Sequence, residues 1–162
     1  MIKVAFYKVQ KGDVFGNIIS GWTSIWARNT PAYSHVEIGI PDGKGKYKWF
    51  SSASKNTNGK TGTRWMGEDG LFQHRDRWDI YDVMNVRGCV DMLKTCEEEW
   101  GKSYDWLGIA GFAIPFGNLN FKKQWYCSEI CYYIFFGKWK KRISPKRFYK
   151  KIKGFILRKE VE

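Results

Sequence analysis

The sequence predicts one α+β domain built on an antiparallel sheet. Four stretches alternate apolar and polar residues as half-buried strands do, at 2–9, 34–40, 47–53 and 78–86. The second and third are joined by Pro-Asp-Gly-Lys-Gly, a sequence typical of a hairpin turn. Other segments have helical spacing, and 162 residues with a hydrophobic fraction of 43% can fill one core.

The stretch 34–40 defines the faces of the predicted sheet most clearly. His35, Glu37 and Gly39 point to one side of this strand, and β-branched residues fill the other side. The stretch 47–53 then returns as the second strand of the hairpin. We therefore expect the imidazole and the carboxylate to lie close together on one face.

Three segments are predicted to be helical. Apolar residues recur at helical spacing over 15–28, with a weak point at Gly21, and again over 91–100. The third helix, 124–136, is apolar enough to be buried.

Two further segments have no regular pattern. Residues 54–70 are rich in Gly, Asn, Thr and Lys and predict an irregular excursion, whereas 104–116 is an apolar run broken by Gly and Pro. We expect 54–77 and 106–116 to form the rims of a cleft, or else ordinary loop and core.

The net charge of +12 is concentrated at one end of the chain. Eleven basic residues lie between 138 and 159, so residues 1–137 carry only +3. We therefore separate a body, 1–137, from a basic C-terminal segment, 138–162, of the same domain. No stretch is long and apolar enough to span a bilayer, and the first residues lack a signal-peptide pattern. These features argue against an integral membrane protein and predict a cytoplasmic location.

The four cysteines, Cys89, Cys96, Cys127 and Cys131, do not have the spacing of a metal site. Structural zinc sites use paired ligands a few residues apart, whereas these spacings stand alone and the two histidines are distant in sequence. Disulfides are not expected in a cytoplasmic chain with a core of this size. The sequence therefore predicts neither a metal site nor a disulfide framework.

Cys127 is the candidate nucleophile, because it lies near the start of the third predicted helix. The positive end of a helix dipole lowers a thiol pKa, and the first-turn N–H groups can hold a developing oxyanion. A buried, inert cysteine is the alternative interpretation. Cys131, one turn later, is expected to be a core residue, and Glu129 is expected to face away from the thiol in a structural role.

His35 is the candidate base for that thiol. A neutral imidazole beside a cysteine can form the ion pair of a Cys–His enzyme, and its second nitrogen then needs an acceptor that fixes the tautomer. Glu37 can provide that acceptor from the same face, and Ser51 and Ser52 of the returning strand are alternatives. A structural histidine is the competing interpretation, and His74, in a charged loop, is expected to be solvated.

Four segments occur in an order that resembles a superfamily of cysteine hydrolases. They are Gly12-Asp13, Ser34-His35-Val36, Gly101-Lys102-Ser103-Tyr104-Asp105 and Tyr126-Cys127-Ser128-Glu129. This order is similar to the circularly permuted branch of the NlpC/P60 superfamily, papain-like amidases of the YiiX/YaeF type. The resemblance covers roughly residues 11–136 and is strongest to phage-encoded members, which implies a protein acting in a host cell.

The resemblance implies a permuted papain-like fold, with an antiparallel sheet packed against the helix that carries the catalytic cysteine. It assigns Cys127 as nucleophile and His35 as base, and it implies no metal or organic cofactor. Relatives commonly supply a polar group from the strand after the histidine, where this chain has Phe50-Ser51-Ser52-Ala53. We therefore predict Glu37 as the residue that orients the histidine, with Ser52 as the alternative.

The implied substrate contains an amide, ester or thioester, such as a peptide, a peptidoglycan fragment or an acyl lipid. The same superfamily includes acyltransferases and lipid-processing enzymes. In a different class of function, an inactive scaffold would use residues 138–159 to bind nucleic acid or an anionic membrane, although no DNA-specific motif is present. A solvated helix face is the simplest interpretation of that segment.

Overall fold

Six strands form one antiparallel sheet in the computed structural model, which describes residues 1–9, 32–54, 61–84, 86–105, 124–141 and 143–160. The strands are β1 (Ile2–Lys8), β2 (Tyr33–Pro41), β3 (Tyr47–Ala53), β4 (Gly62–Met66), β5 (Trp78–Val83) and β6 (Ile156–Lys159). Their order across the sheet is β4-β3-β2-β1-β5-β6, so the first strand of the chain is central. The predicted α+β class with an antiparallel sheet is confirmed.

Four α-helices accompany the sheet within the described residues. They are α1 (Glu68–Leu71), α2 (Cys89–Glu99), α3 (Cys127–Phe136) and α4 (Pro145–Ile152). Short 3₁₀ turns at Arg75–Arg77 and Lys153–Phe155 lead into β5 and β6. None of the described helices is long and apolar enough to cross a membrane.

Apolar side chains pack on both faces of the sheet because strand residues alternate in direction. Val4 and Phe6 of β1 join the larger cluster, which includes buried residues of α3 and α4, whereas Ala5 joins a smaller cluster with Trp49 and Ile80. Helix α3 packs against β2 and β3, and α4 packs against β2 and α3. The helix that begins with Cys127 is therefore held directly on the strand that carries His35.

The prediction of an irregular excursion over 54–70 is wrong where the structure describes it. Residues 62–66 form β4, which pairs with β3 from Ala53–Gly62 to Trp49–Met66, and α1 follows. The polar composition concealed a short strand whose Trp65 ring packs edge-on against Phe50 at 4.9 Å between ring centroids. Residues 55–60 lie outside the described part of the chain.

The basic C-terminal segment is more deeply integrated than its charge predicts. Ile143, Phe148 and Ile152 are buried in the larger cluster, and β6 pairs with β5. A helix lying on a membrane surface would expose these apolar residues, whereas here they pack inside the domain. Most of the basic side chains of α4 remain on the surface, although Lys146 is buried.

Some predicted elements differ in extent or lie outside the described residues. Strand β5 ends at Val83, short of the predicted 86, and α3 begins at Cys127 rather than at 124. The predicted helix 15–28, the Gly12-Asp13 pair and the apolar run 106–116 fall on residues that the structure does not describe.

Candidate active site

Cys127 is the first residue of α3, and the segment before it is fixed by backbone hydrogen bonds. The Trp125 N–H donates to the Ser103 carbonyl (3.1 Å), and the Trp125 carbonyl accepts from the Asp105 N–H (3.1 Å). The same carbonyl accepts from the Ser52 hydroxyl on β3 (2.6 Å). The thiol therefore lies at a helix N-terminus whose approach is tied to the sheet, and Cys127 is only 5% exposed.

His35 lies on β2, in a row of paired residues that crosses three strands. Tyr7 of β1 pairs with His35 on one side and with Trp78 of β5 on the other. The His35 and Trp78 rings approach edge to face at 6.1 Å between centroids. The His35 side chain is 23% exposed, so it has access to a substrate from solvent.

The His35 side chain lies close enough to Cys127 to interact with it electrostatically, and it makes a hydrogen bond with Glu37. Its Nε2 lies 2.7 Å from the Glu37 Oε1. An ionised carboxylate only accepts hydrogen bonds, so Nε2 carries the proton, and Nδ1 is the ring nitrogen left to exchange a proton with the thiol. The structure thus brings together the predicted residues Cys127, His35 and Glu37.

The charge on His35 is set by opposing effects. Burial lowers the pKa of His35, but the Cys127 sulfur and the Glu37 carboxylate raise it by charge and by hydrogen bonding, to about 9. An imidazole paired with a cysteine is the acid–base arrangement that cysteine hydrolases use. The pair can therefore hold the nucleophile and its acid partner together.

Glu37 is completely buried, and a guanidinium compensates for its burial. The Arg64 Nη2 donates to Glu37 Oε1 (2.6 Å), and Arg64 Nη1 donates to Oε2 (3.2 Å). Burial raises the pKa of Glu37, but Arg64 and His35 together lower it to about 2. The carboxylate is therefore ionised across the physiological range.

Arg64 is the site residue that sequence reasoning did not find. It lies on β4, in the segment predicted to be irregular, so no face could be assigned to it. The sequence did contain one signal: Thr63, Arg64 and Trp65 form a short strand-like stretch in which Arg64 is the charged residue.

Ser51 and Ser52 do not orient His35. The β2–β3 ladder runs from Pro41–Tyr47 to Ile38–Phe50. Beyond it the Ser51 hydroxyl donates to the Val36 carbonyl (2.7 Å), and Ser52 donates to Trp125. Both serines therefore join the strands and the helix approach, and Glu37 alone of the three candidates contacts the imidazole.

The other candidate residues have surroundings unlike those of Cys127. Burial raises the pKa of the Cys131 thiol and of the Cys96 thiol, while Cys89 is half-buried, and none of the four cysteines forms a disulfide within the described residues. Glu129 is completely buried, and its charge adds to burial in raising the pKa of the Tyr126 phenol. His74 is exposed at the start of a 3₁₀ turn.

Within the described ranges, no group of three or more His, Cys, Asp or Glu side chains is placed to hold a metal ion. Comparison of the sequence with protein-family models and with curated proteins finds no match.

Proposed function

We propose that this protein is a cysteine hydrolase that acts on an amide, ester or thioester through an acyl-enzyme at Cys127. The observation that carries the proposal is the chain of contacts from Cys127 at a helix N-terminus to His35 and on to the buried Glu37. A nucleophile, a base and an acceptor that orients the base are the parts that this chemistry requires.

The proposed reaction proceeds in two steps. The Cys127 thiolate attacks the substrate carbonyl carbon, and the negative charge that develops on its oxygen is held by N–H groups at the start of α3. The His35 imidazolium then gives its proton to the leaving nitrogen, oxygen or sulfur as the bond to the carbonyl carbon breaks. In the second step neutral His35 takes a proton from water, which attacks the thioester and releases the acid and the Cys127 thiolate.

The motif order supports assignment to the permuted NlpC/P60 type, with the histidine strand before the cysteine helix. Helix α3 packed on an antiparallel sheet is the arrangement that this papain-like assignment requires. A phage-encoded, cytoplasmic protein acting on a peptide, a peptidoglycan fragment or an acyl lipid is part of the same proposal. Transfer of the acyl group to an acceptor other than water uses the same first step.

Competition between the four cysteines for limiting iodoacetamide tests the nucleophile. Peptide mapping is expected to show Cys127 alkylated first, ahead of the half-buried Cys89 and the buried Cys96 and Cys131, because only Cys127 has an imidazolium partner. His35→Ala should remove this preference, whereas the matched change of the exposed histidine, His74→Ala, should preserve it.

An activated acyl ester such as p-nitrophenyl acetate then tests the acyl-enzyme. We expect a burst of nitrophenol that Cys127→Ala abolishes, followed by slower turnover as water releases the acyl group. Equal alkylation of all four cysteines, or a Cys127 preference that survives His35→Ala, would refute the proposed function.

A further inference from the structure

Arg64 binds both oxygens of the carboxylate that contacts the candidate base. Its two terminal nitrogens reach Oε1 and Oε2 of Glu37 as a fork, and Oε1 also contacts His35 Nε2. A guanidinium fork fixes the plane of a carboxylate as well as its charge, which a single ammonium does not do. The direction in which Glu37 presents Oε1 to the imidazole is therefore set by Arg64.

Strand β4 holds Arg64 at this position through contacts made just before it. The Thr63 N–H donates to the Lys102 carbonyl (2.9 Å), and the Thr63 hydroxyl donates to the Glu99 carbonyl (2.5 Å). Arg64 itself pairs with Ser51 of β3, and its side chain is 13% exposed. The guanidinium thus reaches the site from an anchored edge strand.

The charged and titratable groups around this site come from several elements. Glu37 faces His35 on its own strand and Arg64 on β4, and it influences the Cys131 thiol of α3. His35 faces Glu37 and Cys127, and Cys127 also influences the phenols of Tyr104 and Tyr126. Arg64 is the cation among these neighbours that bonds Glu37 directly from outside β2.

We propose that Arg64 is a positioning residue for the Cys127–His35 pair: it keeps Glu37 ionised and aimed at His35 Nε2, so that Nδ1 faces the thiol. This inference rests on the proposed function and adds to it a fourth residue. Without Arg64, only His35 would oppose the effect of burial, so the pKa of the Glu37 carboxyl group would rise, and the imidazole would lose its charged acceptor once that group is protonated.

The test is the pH dependence of Cys127 alkylation by iodoacetamide in the full-length protein, from about pH 4 to about pH 9. We expect Arg64→Gln to lower the rate at neutral pH between about 10-fold and 10²-fold, because the base is misplaced. The variant should also show a new titration step in which the rate falls as Glu37 protonates. The wild type should lack this step, since the pKa of Glu37 is about 2.

The double variant Glu37→Gln/Arg64→Gln separates positioning from a structural role. If Arg64 acts through Glu37, the double variant loses the new step and reacts no more slowly than Glu37→Gln alone. Arg158→Gln is the matched control, since Arg158 lies on β6, the edge strand opposite β4, and pairs with a different buried carboxylate, Asp82. It should leave the alkylation profile unchanged. Thermal melts of every variant report whether it folds.

The outcomes separate this inference from the proposed function. If wild-type Cys127 is not alkylated preferentially, the proposed function fails. If wild-type Cys127 is alkylated preferentially, two results would overturn the role of Arg64 alone. One is a pH profile of alkylation for Arg64→Gln with the same shape as that of the wild type. The other is a double variant whose rate loss is the full sum of the losses of the two single variants. If Arg64→Gln does not fold, Arg64→Lys takes its place. Its retained charge should keep Glu37 ionised, so no new step is expected, but loss of the fork should still lower the alkylation rate at neutral pH. A lysine variant as reactive as the wild type would overturn the positioning role.

Discussion

The site depends on a buried carboxylate, and burial acts against its charge. Removing an ionised group from water is costly unless a partner and hydrogen bonds compensate. Glu37 receives that compensation from Arg64 and from His35, which together bring its pKa to about 2. The same arrangement helps to bring the pKa of His35 to about 9, so each residue keeps its neighbour charged.

Glu37→Gln should reduce stability in a pH-dependent way. A carboxyl pKa lowered from about 4.5 unfolded to about 2 folded stabilises the native state above pH 4.5, and this contribution is lost as pH falls toward 2. The free energy of unfolding of Glu37→Gln should therefore be lower by about 3 kcal/mol near neutral pH, and the difference should vanish near pH 2. Urea denaturation at a series of pH values measures it.

The matched control for that experiment is Glu98→Gln, which removes a carboxylate from the exposed surface of α2. It reports the effect of one lost surface charge, which is small. A Glu37→Gln difference that stays constant across the pH series would contradict the assignment of the buried, ionised Glu37.

At the scale of elements, the close contact between β4 and the loop after α2 is what places Arg64. Gly62 has φ +118°, and a Cβ built on it would lie 2.1 Å from the Lys102 carbonyl oxygen. A side chain at this position would clash with the Lys102 backbone, and it would also be strained by the positive φ. Either β4 or the loop after α2 would therefore have to move.

Gly62→Ala should therefore lower stability by about 3 kcal/mol and slow Cys127 alkylation, because β4 would shift with Arg64 on it. Two glycines provide controls. Gly45 has a left-handed φ of +85° but open space around a built Cβ, so Gly45→Ala should lower the free energy of unfolding by about 1 kcal/mol. Gly67 has open space and no left-handed φ, so Gly67→Ala should leave stability nearly unchanged. Thermal melts and alkylation rates measure both effects, and a Gly62→Ala protein as reactive as Gly67→Ala would contradict the role of this contact.

The elements that sequence could predict are those with a strong local pattern. Strands β2 and β3 follow from alternation and a turn sequence, and the shared face of His35 and Glu37 follows from the same period of two. Strand β4 has five residues, one of them glycine, and is defined by its pairing with β3 and its contact with Lys102. Such long-range contacts leave little trace in local sequence, so Arg64 could not be placed.

Across the whole molecule, the site combines residues that are distant from one another in the sequence. His35 and Glu37 lie on β2, Arg64 on the edge strand β4, and Cys127 on α3, far along the chain. Charge was a poor guide to this arrangement, because the most basic segment forms the opposite edge of the sheet. Strand β6 pairs with β5, and its Arg158 and Lys159 pair with Asp82 and Asp79 of that strand.

The C-terminal segment should therefore be required for folding, whatever its charges bind. Ile143, Phe148 and Ile152 are at most 2% exposed, and burial of three such side chains contributes roughly 5–9 kcal/mol, comparable to the stability of a whole domain. Deletion of residues 138–162 should abolish cooperative thermal unfolding measured by circular dichroism.

The exposed charges are separable from this core, so the triple change Lys150→Gln, Lys151→Gln and Lys153→Gln should leave the melt within a few degrees of wild type. Binding of the folded triple variant to DNA or to anionic vesicles then tests the surface charges alone, and a truncated protein that still melts cooperatively would show that the segment is dispensable.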